Sequence, residues 1–336
     1  MATPAAAPAF DSAELKQRID HFHSVRDQIL AQVHQVIVGQ EDVLEQILIG
    51  LFVGGHCLIT GLPGTAKTLM VRTIAQTLGL IFKRIQFTPD LMPSDITGTD
   101  IIEEDPTTGR RRWTFVQGPI FGNILLADEI NRTPPKTQSA LLEAMQERQV
   151  TIEGDRFELP APFMVLATQN PVDLEGTYPL PEAQIDRFLV RVTMGYPTAR
   201  EEAMMLKAHG VEPPVVRAVL SGPDVSAMQA IGARIHVEDD LHDYAVAITG
   251  FTRSHPRVAL GASPRATLAL VQASKAWALL NGRTFVVPDD LRAIASPVLA
   301  HRLVLTADTE PDAKAREQVV EEALAKVSYR RGVRAV

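Results

Sequence analysis

The chain has 336 residues, 46% of them hydrophobic and 22% charged, which is enough for about two domains with a buried core. Its formal net charge of −7 argues against a dedicated nucleic-acid binder without excluding a local basic groove. The single cysteine, Cys57, excludes an intrachain disulfide. No apolar run reaches the roughly 18 residues of a membrane span, so we expect a cytoplasmic protein without one.

The first part of the chain alternates between helical and strand patterns. Helical periodicity predicts one helix from Asp11 to Val36 and a second from Glu41 to Phe52. Five apolar runs that follow are predicted strands: Cys57–Thr60, Phe82–Phe87, Ile124–Ala127, Phe163–Ala167 and Phe188–Val192. Helical patterns separate most of them, and this alternation predicts a parallel five-stranded sheet with helices on both faces.

The pattern changes after Tyr196-Pro197, because helices then follow one another with almost no strand signal. We therefore predict a loose tail over residues 1–10, an α/β core over 11–197, and a small all-helical domain over 198–336. Two inserts, at about 91–119 and 149–160, have the alternation of hairpins. Their predicted turns lie at Asp105–Gly109 and Glu153–Asp155.

The segment Gly61–Thr68 reads GLPGTAKT and lies between a predicted strand and a predicted helix. In a loop of this kind the backbone N–H groups and the helix N-terminus bind the phosphates of a nucleotide triphosphate. Lys67 is then expected to reach the β- and γ-phosphates, and the Thr68 hydroxyl to bind Mg²⁺. For this segment alone, an ordinary strand-turn-helix stays the alternative.

Ala66 occupies the position that usually holds the last glycine of such a loop. We expect it at the helix start, with an ordinary φ, where a methyl group costs little. Gly61 and Gly64 are expected in the loop proper, where the conformational freedom of glycine matters. Pro63 has no N–H, so residues 64 to 68 must supply the donors.

Polar residues follow two of the buried strands. Asp128 and Glu129 end one strand, and Asn170 follows another. Because parallel strands present their carboxyl ends to a ligand crevice, Asp128 is expected near Mg²⁺ and Glu129 beside the attacking water. Asn170 could hydrogen-bond the water or the γ-phosphate, although an Asn-Pro pair also favours a plain turn.

Two arginines have the chemistry to neutralise phosphate charge in a transition state. Arg187 precedes the last predicted strand, and Arg265 lies at a helix start in the second domain. From position alone, either arginine is better explained as a solvated surface charge. The run Arg110-Arg111-Arg112, which follows the acidic Glu103-Glu104-Asp105, likewise favours a solvated loop over a nucleic-acid contact.

Taken together, the motifs resemble those of an AAA+ ATPase of the MoxR family, in the helix-2-insert group. The resemblance runs from about Val36 to about Leu305. It is carried by the phosphate loop in its Ala-Lys-Thr form and by the segments Leu126–Arg132, Pro134–Gln138, Ala167–Pro171, Leu180–Phe188 and Gly261–Ala266.

The resemblance implies a role for each motif. The phosphate loop is Walker A, with the following Leu69 also at the nucleotide, and Asp128 with Glu129 is Walker B. The remaining residues with an implied role are Asn170 as sensor 1, Arg187 as the arginine finger for a neighbouring subunit, Arg265 as sensor 2, and Gly39 with Gln40 beside the adenine. The helical domain is the family's lid, and the hairpins are its inserts. Arg265 could serve its own site or that of a neighbour.

The implied function is ATP hydrolysis with Mg²⁺ in a ring, with six subunits as the family expectation. The family suggests a chaperone-like remodelling role with a von Willebrand factor A-domain partner, and it leaves the client unspecified. Two alternatives stay open: a nucleic-acid motor or loader, against which the acidic balance argues, and the ATPase subunit of a metal chelatase.

Overall fold

The structure is a computed structural model that describes residues 12–104, 111–152, 154–170, 177–208, 214–307 and 314–329. The predicted 1–10 tail and the turn residues 105–109 and 153 therefore lie outside the described residues. The first part of the chain contains helices α1 Ser12–Val33, α2 Glu41–Val53, α3 Lys67–Thr77, α4 Pro93–Thr97, α5 Pro135–Glu147 and α6 Glu182–Ile185. Its strands are β1 Cys57–Gly61, β2 Phe82–Gln86, β3 Gly98–Glu104, β4 Arg111–Gln117, β5 Ile124–Asp128, β6 Gln149–Ile152, β7 Asp155–Glu158, β8 Met164–Gln169 and β9 Val190–Met194.

Five of these strands form one parallel sheet in the order β2-β5-β8-β1-β9. The predicted α/β fold with a five-stranded parallel sheet is thereby confirmed. The phosphate-loop strand β1 lies between β8 and β9, so the segments that follow β1, β5 and β8 all emerge at the same edge. This strand order is what can bring the predicted loop, carboxylates and amide together.

The sheet separates two apolar layers. Ile124 and Leu126 of β5 contribute to the layer that contains α1, α2 and α3, while Leu125 and Ala127 contribute to the layer that contains α5. Alternate residues of a strand point to opposite faces, so a strand covered on both sides must be apolar throughout. Every residue of β5 is buried, as the continuous apolar run predicted.

Most element boundaries agree with the predicted ones to within one to three residues, and the last strand shows why they differ. The prediction placed Phe188 in a strand, but the structure begins β9 at Val190. The Phe188 N–H donates to the Ile185 carbonyl oxygen at 3.1 Å, so this residue still belongs to the turn after α6. A buried aromatic residue in a turn has the same local sequence signature as a strand residue.

Both predicted hairpins are present. Strands β3 and β4 pair from Gly98 opposite Gln117 to Glu104 opposite Arg111, and β6 pairs with β7. In the first hairpin, Arg111 and Arg112 form ion pairs with Glu104 and Glu103 at 3.2 and 3.3 Å. The acidic and basic runs therefore lie opposite each other on paired strands, where their charges attract.

The second part of the chain is mainly helical. Its helices are α7 Ala199–Ala208, α8 Gly222–Gly232, α9 Asp239–Arg253, α10 Pro264–Leu280, α11 Pro288–Leu299 and α12 Ala315–Lys326. The expectation of an all-helical domain needs one correction, because Val258–Leu260 (β10) and Val304–Leu305 (β11) form a short antiparallel pair. Helices α10 and α11 pack against α2 and β9. In the described part of the chain, no helix has the length and apolarity to cross a bilayer.

Candidate functional site

The carboxyl ends of the sheet strands surround a cavity of about 430 Å³, a size typical of ligand sites. Predicted site residues from three separate segments of the chain line it together. They are Gly61, Pro63, Gly64, Thr65, Ala66, Lys67, Thr68, Leu69, Asp128, Glu129 and Asn170, and the cavity is completed by Arg84, Gln86, Thr168 and Gln169. The strand order therefore assembles the phosphate loop, both carboxylates and the amide at one place.

The backbone of the phosphate loop corrects two expectations. Ala66 does not have an ordinary φ: it lies in the left-handed region at +60°, as the residue that precedes α3. This conformation costs an L-residue about 1–2 kcal/mol. Gly61 is the last residue of β1, and glycine is needed there for space, since a Cβ atom would lie 2.8 Å from the Met194 carbonyl oxygen. Gly64 has a φ of +80°, so the freedom of glycine matters there as predicted.

Lys67 begins α3 and its Nζ lies within the loop. Its ammonium group donates to the carbonyl oxygens of Gly61 and Leu62, at 3.0 and 2.7 Å. Burial lowers the pKa of Lys67, whereas the charges of Asp128 and Glu129 raise it. The lysine is thus held at the mouth of the loop by neutral carbonyl groups, which leaves its positive charge available to an anion.

Asp128 ends β5 and is almost buried. One carboxylate oxygen, Oδ2, lies 2.6 Å from Nε of Arg84, and the other accepts a hydrogen bond from Oγ1 of Thr168 at 3.2 Å. Strand β2 supplies the arginine and strand β8 the threonine. Each is a neighbour of β5 in the sheet.

Glu129 has a strained backbone. Its φ of +57° is in the left-handed region, which a non-glycine residue adopts at a cost of about 1 kcal/mol or more. The Glu129 N–H donates to Oγ1 of Thr168 at 2.8 Å, and Gln86 Nε2 donates to the Glu129 carboxylate at 2.9 Å. Arg132 approaches the same carboxylate at 3.3 Å. Polar partners therefore hold the Glu129 carboxylate in place, and the backbone of Glu129 turns sharply where strand β5 ends.

Sequence reasoning missed Arg84, Gln86, Thr168 and Gln169 as site residues. Arg84 and Gln86 alternate on the edge strand β2, and Gln86 lies opposite Asp128 in the parallel register. A polar pair at the carboxyl end of a predicted strand was the available signal. It was inconclusive because the order of the strands in the sheet was not known.

The residues of this cavity fit a magnesium ion. Mg²⁺ prefers oxygen ligands, and the Thr68 hydroxyl and the Asp128 carboxylate line the same cavity as the phosphate loop. Asp128 already accepts a cationic group, the Arg84 guanidinium. Among the described residues there is no cluster of three or more His, Cys, Asp or Glu side chains that could hold a metal without a nucleotide.

Arg187 and Arg265 line a different cavity, of about 220 Å³, together with His56, Met145 and Gln146. None of these described lining residues is acidic, and the two cavities share no lining residue. Arg187 donates to the Leu142 carbonyl oxygen at 2.9 Å. Burial first, and the nearby Arg148 second, lower the pKa of His56 to about 3, so this imidazole is neutral at pH 7.

Gly39 and Gln40 do not line the cavity of the phosphate loop. Both residues have a positive φ, +66° and +61°, immediately before α2. Glu201 of α7 packs so closely on Gly39 that a Cβ atom there would overlap its carboxylate. Their expected place beside the adenine stays a prediction.

Two family models match the chain. The one described as the ATPase family associated with various cellular activities (AAA) matches residues 56–190, and the one described as an AAA lid domain matches residues 250–323. A crystal structure of a candidate ATPase from Cytophaga hutchinsonii has a TM-score of 0.87 and 39% identity, over 95% of this chain and 98% of that one. The fold and the matches define an AAA+ ATPase domain followed by its lid.

Individual relatives narrow the class. Chaperone MoxR1 of Mycobacterium tuberculosis is 46% identical over 90% of this chain and 81% of its own length. The YeaC protein of Bacillus subtilis is 44% identical over 92% of this chain and 96% of its own length. Protein MoxR of Paracoccus denitrificans is 29% identical over 88% of this chain and 94% of its own length. The chain belongs to the MoxR family of AAA+ ATPases.

Proposed function

We propose that this protein hydrolyses ATP with Mg²⁺ in a homo-oligomeric ring and uses the cycle to remodel protein partners. The observation that carries the proposal is that the phosphate loop, Asp128, Glu129 and Asn170 line one cavity, while two arginines line another. A single chain would then hold the groups proposed to bind the nucleotide and position water at one place, and Arg187 and Arg265 at another. A second copy is needed to bring them together.

In the proposed complex, Lys67 and the N–H groups of the loop bind the β- and γ-phosphates. Thr68 and Asp128 would hold Mg²⁺. The ion supplies charge neutralisation and orients the phosphate oxygens. For Asp128 to take this role, Arg84 must leave the carboxylate oxygen that it contacts at 2.6 Å.

Glu129 and Asn170 align a water molecule with the γ-phosphorus. As the water oxygen bonds to phosphorus and the bond to the leaving oxygen breaks, the Glu129 carboxylate accepts the water proton. The hydrogen bond from Gln86 directs this carboxylate before the reaction, and the hydrogen bond from the Glu129 N–H to Thr168 holds the backbone that carries it. Their role is to fix the position of Glu129, because correct placement supplies much of the rate in phosphoryl transfer.

Arg187 acts on the nucleotide of the neighbouring subunit, and we propose that Arg265 acts on the same nucleotide. Both arginines line one cavity, and that cavity contains no described carboxylate that would neutralise them. A contact of this kind is heterologous, so it closes only as a ring. We also adopt six subunits, which is the family expectation, and the cytoplasmic location expected from the sequence.

The chaperone-like role rests on relatives, one of which is named a chaperone. The proposed partner is a von Willebrand factor A-domain protein. The proposed domain limits are 11–197 for the core and 198–336 for the lid. An affinity purification with Glu129→Gln tests the role, because this variant should bind ATP without turnover and retain its client. Retention only in the presence of ATP supports a remodelling cycle, and equal retention without ATP contradicts it.

Turnover by Glu129→Gln is the direct test of the mechanism. The Glu129→Gln variant should bind ATP with wild-type affinity. It should hydrolyse ATP at least roughly a hundredfold more slowly, since a positioned base contributes about that factor or more. Glu147→Gln is a matched control, because Glu147 ends α5 and does not line the cavity. Near wild-type turnover by Glu129→Gln would remove Glu129 as the base.

The ring is tested by mixing subunits. Arg187→Ala alone should lose activity. When Arg187→Ala is mixed with Glu129→Gln, the mixed rings should regain part of the activity, because each mutant lacks a different half of the composite site. Unchanged activity of the pure Arg187→Ala protein would refute the finger, and absence of rescue would refute its action across an interface.

A further inference from the structure

The carboxylate next to the proposed arginine finger joins the core to the lid. Asp186 precedes Arg187 at the end of α6, and its Oδ2 accepts a hydrogen bond from the Ser263 hydroxyl at 3.1 Å. Ser263 in turn caps α10, since its Oγ accepts from the Ala266 N–H at 3.2 Å. Arg265 is the second residue of that helix. One carboxylate is therefore one residue from Arg187 and one hydrogen bond from the helix start that carries Arg265.

A buried lid arginine faces the same carboxylate. Nε of Arg302 lies 3.0 Å from Oδ1 of Asp186, without the alignment of a hydrogen bond, so the contact is an attraction between charges. The Arg302 side chain is only 3% exposed. Burial lowers the pKa of Arg302 to about 10, the Asp186 charge opposes this, and the Arg265 charge adds to it. Arg302 therefore stays charged at pH 7, and Asp186 is its anionic partner.

The lid also binds the backbone on the other side of Arg187. Arg302 Nη2 donates to the Phe188 carbonyl oxygen at 2.7 Å, and His301 Nε2 lies 3.2 Å from the same oxygen. Burial lowers the pKa of His301 well below its usual value, with Arg302 as the second cause, so the ring is neutral and donates from Nε2. Residues on both sides of Arg187 are thus held by the lid.

We infer that Asp186 is a positioning residue that fixes Arg187 of the core and Arg265 of the lid as one unit for the neighbouring subunit's nucleotide. The inference rests on the proposed trans action of Arg187. It makes the composite site sensitive to the lid, because a movement of α10 or Arg302 relative to the core must change the contacts of Asp186. None of these residues lines the phosphate-loop cavity of the same subunit.

The inference predicts a defect that is passed to the neighbour. Asp186→Ala should bind a fluorescent ATP analogue with an affinity within about twofold of wild type, while its turnover falls about tenfold to a hundredfold. Mixed in equal amounts with Glu129→Gln, whose finger is intact, it should regain turnover. Mixed with Arg187→Ala it should not, because both subunits then lack a correctly placed finger. Ser263→Ala should give a smaller defect of the same pattern.

A matched control separates positioning from simple loss of stability. Asp290 is a buried lid carboxylate that pairs with Arg283 at 2.5 Å, and neither residue lines the arginine cavity. Asp290→Asn should lower the thermal midpoint and keep the wild-type turnover per folded ring. The oligomeric state of every variant is measured by light scattering with ATP.

The outcomes distinguish the two proposals. If Arg187→Ala is rescued by Glu129→Gln and Asp186→Ala is not, the positioning role is overturned and the finger stands. If Asp186→Ala has wild-type turnover, the positioning role is also overturned. If Arg187→Ala is not rescued, trans action fails and the inference falls with it. Rescue of both variants by Glu129→Gln, together with failure of their mixture with each other, supports the inference.

Discussion

Arg84 is expected to compete with Mg²⁺ for Asp128. Its guanidinium lies 2.6 Å from Oδ2 of that carboxylate, in the cavity that also contains Thr68. The substitution Arg84→Met keeps an unbranched side chain of similar length and removes the charge. The ion should then bind to a carboxylate that no longer has a competing cation, so nucleotide binding should need less Mg²⁺.

The magnitude follows from the exposure of the pair. The Arg84 side chain is 49% exposed and the Asp128 side chain 9% exposed, so the ion pair is partly screened by solvent. Fully exposed pairs contribute about 0.2–1 kcal/mol, and the short distance puts this pair near the upper end, at about 1 kcal/mol. Since 1.4 kcal/mol corresponds to tenfold, the half-saturating Mg²⁺ concentration should fall about fivefold.

The assay is a Mg²⁺ titration of fluorescent ATP-analogue binding, which does not depend on turnover. Arg112→Met is the control, because it removes the same charge from the β3–β4 hairpin, where Arg112 pairs with Glu103. The control should leave the titration unchanged. If Arg84→Met needs as much Mg²⁺ as wild type or more, Arg84 does not compete with the ion, and the reasoning is refuted.

Three further predictions follow from the cavity and its support. Gln86→Ala should lower basal turnover about twofold in an ATPase assay, since the exposed hydrogen bond that holds the Glu129 carboxylate in place contributes about 0.5 kcal/mol; an unchanged or higher turnover would contradict this. Gly61→Ala should destabilise the protein by about 1–3 kcal/mol in urea unfolding, because its Cβ would lie 2.8 Å from the Met194 carbonyl oxygen, whereas Gly195→Ala, with no atom within 4 Å, should change it little. The pKa of His56 is lowered to about 3, so the unfolded chain binds a proton below about pH 6.5 that the folded chain does not. The free energy of unfolding should therefore fall by about 2 kcal/mol between pH 7 and 5, and His301 should add to the loss. A His56→Gln variant whose free energy of unfolding changes with pH as steeply as that of the wild type would exclude His56 as a cause.

The sequence predicted the fold well because its signals are local. The continuous apolar run of β5 predicted a strand buried on both faces, and every residue of that strand is buried. The loop at Gly61–Thr68 carried its chemistry in consecutive residues. Ala66 was the exception: its φ of +60° contradicts the expected helical value, because the direction of the loop amides is set by the whole loop and not by the residue type.

Pairings across the sheet and between the domains were not predictable from local pattern. Gln86 lies opposite Asp128 only because β2 and β5 are neighbours in parallel register, although they are separated by a hairpin insert in the chain. Asp186 meets Arg302, a residue far along the chain, only because α11 and the turn that follows it pack on the segment before β9. Neither residue is marked by a motif of its own.

The sequence by itself determined which chemical groups this protein has and the type of fold that carries them. Hydrophobic period and motif spacing depend on residues near one another in the chain, and both are visible in a single sequence. The tertiary structure alone decided which groups come together: Arg84 contacts Asp128, Gln86 contacts Glu129, and Arg187 lines one cavity with Arg265. The reason is that charge pairing depends on distances of a few ångström in space, and strand order and domain packing set those distances.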